Sequence, residues 1–214
     1  MKEIPAYNKR LGVMTVGLFF GTFNPIHIGH LAIANYMQSF TDIKEVWFVV
    51  SPHNPFKKRQ NMLSEADRLH LVNLAIEGKQ GYKSCDIEFK MPKPSYTIDT
   101  LARLSEKYPQ RKFALIMGAD NLELFWKWKN SEMIVANYHR YIYPRPGVSV
   151  VSSDVENATF ADAPMMDISS TFIRQAVADG REIPFFLHDK VYRYIKEMHF
   201  YEKYVPSLSG KTSV

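Results

Sequence analysis

The feature that most restricts how this chain can fold is its alternation of short β-branched or aromatic runs with longer amphipathic stretches. A short apolar run suits a strand buried on both faces, whereas apolar residues recurring every three or four positions mark one side of a helix. Strands separated by helices pair in parallel, through crossovers that pack back on the sheet. The expected class is therefore α/β, a central, mostly parallel sheet with helices on both faces.

The runs at 13–20, 45–51, 82–89, 113–117 and 138–143 read as strands, and the stretches at 28–40, 64–77, 96–107, 121–135, 170–179 and 189–198 read as helices. Ser64 and Asp67 form a capping-box-like start, in which a hydroxyl accepts from an otherwise unpaired amide. No internal repeat or linker divides the chain. Residues 1–204 are expected to form one domain, and 205–214, with Pro, Ser and Gly, a flexible tail.

Composition narrows the functional classes. With 46% hydrophobic and 14% aromatic residues, the 214-residue chain has ample material for a core, which argues against disorder. A formal charge of +5 suits a protein that handles anions. No basic stripe interleaved with aromatics accompanies that charge, so nucleic acid is not the expected partner. Cys85 is the only cysteine, which excludes an internal disulfide and a cysteine-rich zinc site and is compatible with a reducing compartment.

Lys9 and Arg10 before the apolar run 11–20, with Ala32-Ile-Ala34 further on, superficially resemble an export signal. Asn24, Pro25, His27 and His30 intervene, where a leader would already have been cut. No run approaches membrane-spanning length. The expectation is a cytoplasmic protein without a membrane partner.

The chemistry concentrates after the first strand, in Gly21-Thr-Phe-Asn-Pro-Ile-His-Ile-Gly-His30. Residues three apart on a helix share a face, so the imidazoles of His27 and His30 can address one ligand. Gly29 removes a side chain where that ligand approaches. A helix N-terminus offers free amides and partial positive charge, which suits a phosphate. Two histidines on one helix face also occur without function, and no nearby His, Asp or Glu completes a metal site, so none is expected. Farther on, Ile168-Ser-Ser-Thr-Phe-Ile-Arg174 reads as a second helix start with hydroxyls and amides for an anion and an arginine one turn along.

A strand followed by Gly-x-Phe-x-Pro and His-x-Gly-His resembles the signature of the His-x-Gly-His nucleotidyltransferase superfamily, whose Rossmann-like fold is shared with class I aminoacyl-tRNA synthetases. A synthetase would carry a second, lysine-rich signature and a tRNA-binding domain, which this chain lacks. Residues 168–174 closely resemble the Ile-Ser-Ser-Thr-x-Ile-Arg motif of the same superfamily. The resemblance implies an ATP site of Gly21, Thr22, Phe23, His27, Gly29, His30, Ile168, Ser169, Ser170, Thr171 and Arg174.

Between these motifs, Ser51-Pro-His-Asn-Pro-Phe-Lys57, Ser95-Tyr-Thr-Ile-Asp-Thr100, Gly118-Ala-Asp120 and Trp126 together resemble the nicotinate-nucleotide adenylyltransferase family across roughly residues 14–200. That family joins ATP to nicotinate mononucleotide, giving deamido-NAD and pyrophosphate, so both substrates and Mg²⁺ carried with ATP are implied. His27, His30, Lys57 and Arg174 become the candidate catalytic residues. Asn24, Lys57, Ser95, Tyr96, Thr97, Asp120 and Trp126 become candidate contacts to the second substrate.

Free amides at the helix start after Ser95 can hold a carboxylate. Trp126 can stack on a pyridine ring, or equally anchor the core. Asp120 can accept from a ribose hydroxyl, cap the next helix, or both. Lys57, with Lys58 and Arg59, suits a loop closing on phosphates, although such basic runs are commonly just solvated. The chain departs from the family pattern at Phe56, usually histidine, and at Asn24, more often aspartate. Rival readings are a pantetheine-phosphate adenylyltransferase, a cytidylyltransferase, or a noncatalytic nucleotide-binding module.

Overall fold

The computed structural model describes residues 13–52, 62–148 and 155–205. Strand β1 (Met14–Gly21) leads into helix α1 (Ile28–Phe40), and β2 (Glu45–Val50) into α2 (Glu65–Ile76). Strand β3 (Tyr82–Cys85) precedes α3 (Thr97–Lys107), and β4 (Arg111–Gly118) precedes the short helices α4 (Leu122–Phe125) and α5 (Ser131–Asn137). Then come β5 (His139–Tyr143), β6 (Ala158–Phe160), α6 (Ser170–Ala178) and α7 (Asp189–Glu197).

The six strands form one sheet in the order β3-β2-β1-β4-β5-β6, and every neighbouring pair is parallel. From β1 the chain builds outward to one side as far as β3, then returns to β1's other flank with β4. This reversal leaves a crevice beyond the carboxyl ends of β1 and β4, where open α/β sheets hold ligands.

Side chains of successive strand residues enter opposite layers. Val46, Phe48 and Val50 of β2 join Phe19, Ile116, Tyr141 and residues of α1, α2, α6 and α7 on one face. Trp47 and Val49 join Leu18, Phe113, Leu115, Ile142 and residues of α3 and α5 on the other. Both faces are apolar because both are covered, which is why the strands read as runs rather than alternations. The expected helices on both faces are present. No helix among the described residues is long and apolar enough to cross a membrane.

Three local differences separate this fold from the sequence reading. Strand β3 stops at Cys85, and residues expected to extend it form a 3₁₀ turn, Ile87–Lys90, in which Glu88 is buried. The helix expected over 121–135 is broken after Phe125, and Asn130 adopts a left-handed conformation (φ 51°) that a right-handed helix cannot pass through. The edge strand β6 was not anticipated, since three residues are too few to show a period. Of the expected tail 205–214, only Val205 is described, and Phe56, Lys57, Lys58 and Arg59 also lie outside the described residues.

Candidate active site

The loop from β1 to α1 sets the site. Phe23 is buried in a left-handed conformation (φ 46°), a strained state for a bulky side chain that its surroundings must hold. Its ring packs edge-on against Phe19, Phe48 and His30 at centroid distances of 5.9, 5.5 and 5.1 Å. Arg68 of α2, fully buried, donates from Nη1 to the carbonyls of Thr22 (2.6 Å) and Ser51 (2.7 Å). A buried cation thereby staples the loop to the end of β2.

His27 occupies the N-cap of α1, and its ring stacks on that of His30 with centroids 3.8 Å apart and planes inclined by 30°. The backbone N–H of His27 donates to Nδ1 of His30 (3.3 Å). An accepting Nδ1 leaves the proton of a neutral His30 ring on Nε2, as a donor. Burial, then nearby Arg145, lowers the His27 pKa from its ordinary 6.5 to about 4. Burial, then His27 and Arg145, also pushes His30 well down. At neutral pH the pair is therefore uncharged. Gly29 leaves the approach open, for a Cβ there would stand 3.1 Å from the His27 ring.

The second helix start faces the first. Ser169 caps α6, its Oγ accepting from the Phe172 N–H (3.1 Å). Ser170 Oγ donates to the Pro25 carbonyl (2.9 Å), and Arg174 Nη1 to the Asn24 carbonyl (2.8 Å), tying α6 to the histidine loop. Arg174 Nη2 also donates to Thr171 Oγ1 (3.2 Å), and its guanidinium lies 4.8 Å from the Tyr204 ring centroid. His27, Gly29, His30, Ile168, Ser169 and Ser170 line one cleft of about 160 Å³ with Tyr143 and Arg145.

Arg145, after β5, was missed because nothing around it in the sequence distinguishes it from a solvated arginine. Its Nε donates to Asp120 Oδ1 (3.3 Å), beyond the end of β4, and Asn121 Nδ2 donates to the same oxygen (3.3 Å). Gly118 makes room for this arrangement, since a Cβ there would lie 2.2 Å from Asp120 Oδ1.

The remaining candidates gather outside this cleft. Tyr96 is the N-cap of α3, with Ser95 and Thr97 half-buried beside it. Lys129 Nζ bonds both carboxylate oxygens of Asp99 (3.2 and 2.9 Å) and lies 4.8 Å from the Tyr96 ring centroid, drawing the segment after Trp126 toward the start of α3. Trp126 is 66% exposed, which removes the core-anchor reading, and its ring meets that of Phe125 in a T-shaped contact (centroids 5.5 Å).

A profile of the cytidylyltransferase-like family matches residues 18–176, from β1 into α6. A Bacteroides fragilis protein named "Probable nicotinate-nucleotide adenylyltransferase" is 52% identical over 180 residues, covering 84% of this chain and 90% of its own. A Christiangramia forsetii protein of the same name is 49% identical over 190 residues, covering 87% and 98%. The chain belongs to the nicotinate-nucleotide adenylyltransferase family. A solved Plasmodium falciparum nicotinic acid mononucleotide adenylyltransferase, complexed with NaAD, superposes with a TM-score of 0.74 over 88% of this chain and 98% of its own. At 18% identity, that likeness concerns the fold.

The family's departure at Asn24 acquires a structural context. Asn24 is buried, and its Oδ1 accepts from the Leu63 N–H (3.1 Å) and the Tyr201 hydroxyl (2.9 Å). An ionised aspartate there would accept the same two bonds but bring a buried charge. The asparagine braces the histidine loop against the segments around Leu63 and Tyr201, and its carbonyl holds Arg174.

Proposed function

We propose that this nucleotidyltransferase carries AMP from ATP to nicotinate mononucleotide, releasing pyrophosphate and forming deamido-NAD, a step of NAD synthesis in the cytoplasm. The observation that carries the reading is the convergence of two helix N-termini, capped by His27 and Ser169, on one cleft with Arg145 at its rim. Such ends hold polyanions through backbone amides and helix dipoles. The relatives' names supply the second substrate.

In this reading the triphosphate lies over the α1 and α6 termini, with His27, His30, Arg174 and Lys57 as donors. Gly21, Thr22, Phe23, Gly29, Ile168, Ser170 and Thr171 shape the nucleotide pocket. The acceptor's nicotinate carboxylate meets the start of α3 at Ser95, Tyr96 and Thr97. Its ring stacks on exposed Trp126, and Asp120 accepts from a ribose hydroxyl.

A phosphate oxygen of the mononucleotide attacks the α-phosphorus of ATP in line. The bond to the bridging oxygen breaks, and its electron pair leaves with pyrophosphate. The nucleophile is already anionic, so no side chain need deprotonate it. The work lies in aligning two anions and stabilising charge that grows on the departing pyrophosphate. Mg²⁺ carried with ATP would supply positive charge that offsets the triphosphate's, beside the donors His27, His30 and Arg174.

Neutral histidines suit this role. They donate hydrogen bonds without the cost of keeping two stacked cations apart, and those bonds strengthen as negative charge develops on the oxygens they meet. The strands' single sheet supports reading residues 1–204 as one domain. A purified-enzyme assay of pyrophosphate release tests the reading, pairing ATP or CTP with nicotinate mononucleotide, nicotinamide mononucleotide and phosphopantetheine. The expected result is the highest kcat/KM with ATP and nicotinate mononucleotide. Preference for phosphopantetheine or CTP, or nucleotide binding without pyrophosphate release, refutes it.

A further inference from the structure

Glu88 is 3% exposed, a carboxyl buried in a 3₁₀ turn where the sequence suggested a strand. A carboxyl withdrawn this far from water carries a large desolvation cost unless donors surround it. Here the donors are hydroxyls. Thr100 Oγ1 donates to Glu88 Oε1 at 2.7 Å, and the side chains of Ser51 and Ser95 also hydrogen-bond to the carboxyl.

These partners come from three places in the chain. Ser51 immediately follows β2 and opens the segment leading to Lys57, and its backbone carbonyl is the one held by Arg68. Ser95 precedes the N-cap of α3, while Thr100 lies in its first turn. The carboxyl thus joins the end of β2 to the start of α3. Through Ser51 and Arg68 the network continues to Thr22 in the histidine loop.

We infer that Glu88 is a positioning residue for the second substrate, fixing the start of α3 and Ser51 at the end of β2 at a set distance from the histidine loop. The inference rests on the proposed role of Ser95 to Thr97 in holding the acceptor. Glu88 itself touches no substrate in this arrangement. Its bonds to Ser95 and Thr100 orient the α3 terminus against Ser51, so that the amides there meet an acid group already in place rather than after a costly rearrangement. Burial raises the Glu88 pKa, opposed by the three hydroxyl bonds, as expected for a carboxyl held by neutral donors.

The test is steady-state kinetics of Glu88→Gln, Glu88→Ala and Thr100→Val beside the wild type, with both substrates varied. Hydrogen exchange is measured on the same proteins. For Glu88→Ala, KM for nicotinate mononucleotide is expected to rise about 10- to 100-fold, with KM for ATP within about twofold. Glu88→Gln, which keeps the shape and one acceptor, is expected to recover part of that loss. Thr100→Val, lacking one donor, should be affected less than Glu88→Ala. Amide exchange at 95–100 should accelerate in Glu88→Ala and remain unchanged at 21–30.

An unchanged KM for nicotinate mononucleotide, or kcat and both KM values shifting together without faster exchange at 95–100, overturns the inference. If a variant is inactive, the exchange pattern alone decides, a uniform acceleration across the sheet counting against it. Failure of the functional reading is distinguishable, because it appears in the wild type as preference for another acceptor.

Discussion

Acid should destabilise this protein through His27, whose pKa burial lowers. His27 has a folded-state pKa of about 4, against 6.5 in the unfolded chain. Between those values the unfolded state binds a proton that the folded state rejects. Stability from this source is therefore full above about pH 6.5, declines as pH falls through the window, and stops declining below about 4, where both states are protonated. At pH 7 the unfolded ring is mostly neutral and the penalty is about 0.2 kcal/mol; at pH 5 it reaches about 2 kcal/mol. The assay is urea denaturation followed by circular dichroism at pH 7, 6 and 5, comparing wild type with His27→Asn. Carboxylates elsewhere titrate in both proteins, so the difference reports His27 together with its coupling to the stacked His30 ring. The wild type should lose about 2 kcal/mol more than the variant between pH 7 and 5. Parallel pH dependences, differing by less than about 0.5 kcal/mol, would refute the claim that burial keeps His27 neutral.

Three further outcomes test other parts of the site. Replacing His30 by alanine should depress kcat/KM by about two to four orders of magnitude, as loss of a preorganised donor does, and near-normal turnover would remove it from the catalytic set. Trp126→Ala should raise KM for nicotinate mononucleotide about 3- to 10-fold through lost stacking. Because that ring is 66% exposed, thermal stability should hold within about 0.5 kcal/mol, and a large loss would show a structural anchor instead. Gly118→Ala sets a methyl group 2.2 Å from Asp120 Oδ1, so the carboxylate and its Arg145 partner must shift. A rise of about 3- to 10-fold in KM for one substrate is expected, and unchanged kinetics for both would detach Asp120 from binding.

Much of the frame was legible in the linear sequence because it depends on local rules. Strands buried on both faces need continuous apolar runs, and the helices between them need apolar residues on their packed sides, so the α/β class follows from pattern alone. His27, Gly29 and His30 were legible for a similar reason. A helix start and a three-residue spacing place two rings together without help from elsewhere in the chain, and residues 169–174 announce their helix start through a serine cap.

Other features depended on partners distant in sequence. Arg145 lies 25 residues from Asp120, and only parallel pairing of β4 with β5 sets it over the histidines. Asn24 belongs to the histidine motif, but the Tyr201 hydroxyl that donates to it lies 177 residues away. Trp126 could not be divided between core and surface until the helix around it broke.

The sequence by itself therefore determined the sheet class and the two helix starts that meet at the cleft, features built from residues within a turn or two of each other. Tertiary structure alone decided the charge state of the histidines and the companions of Asp120. It also decided the burial of Arg68 and Glu88, because dielectric, desolvation and long-range hydrogen bonds exist only once distant segments are packed together.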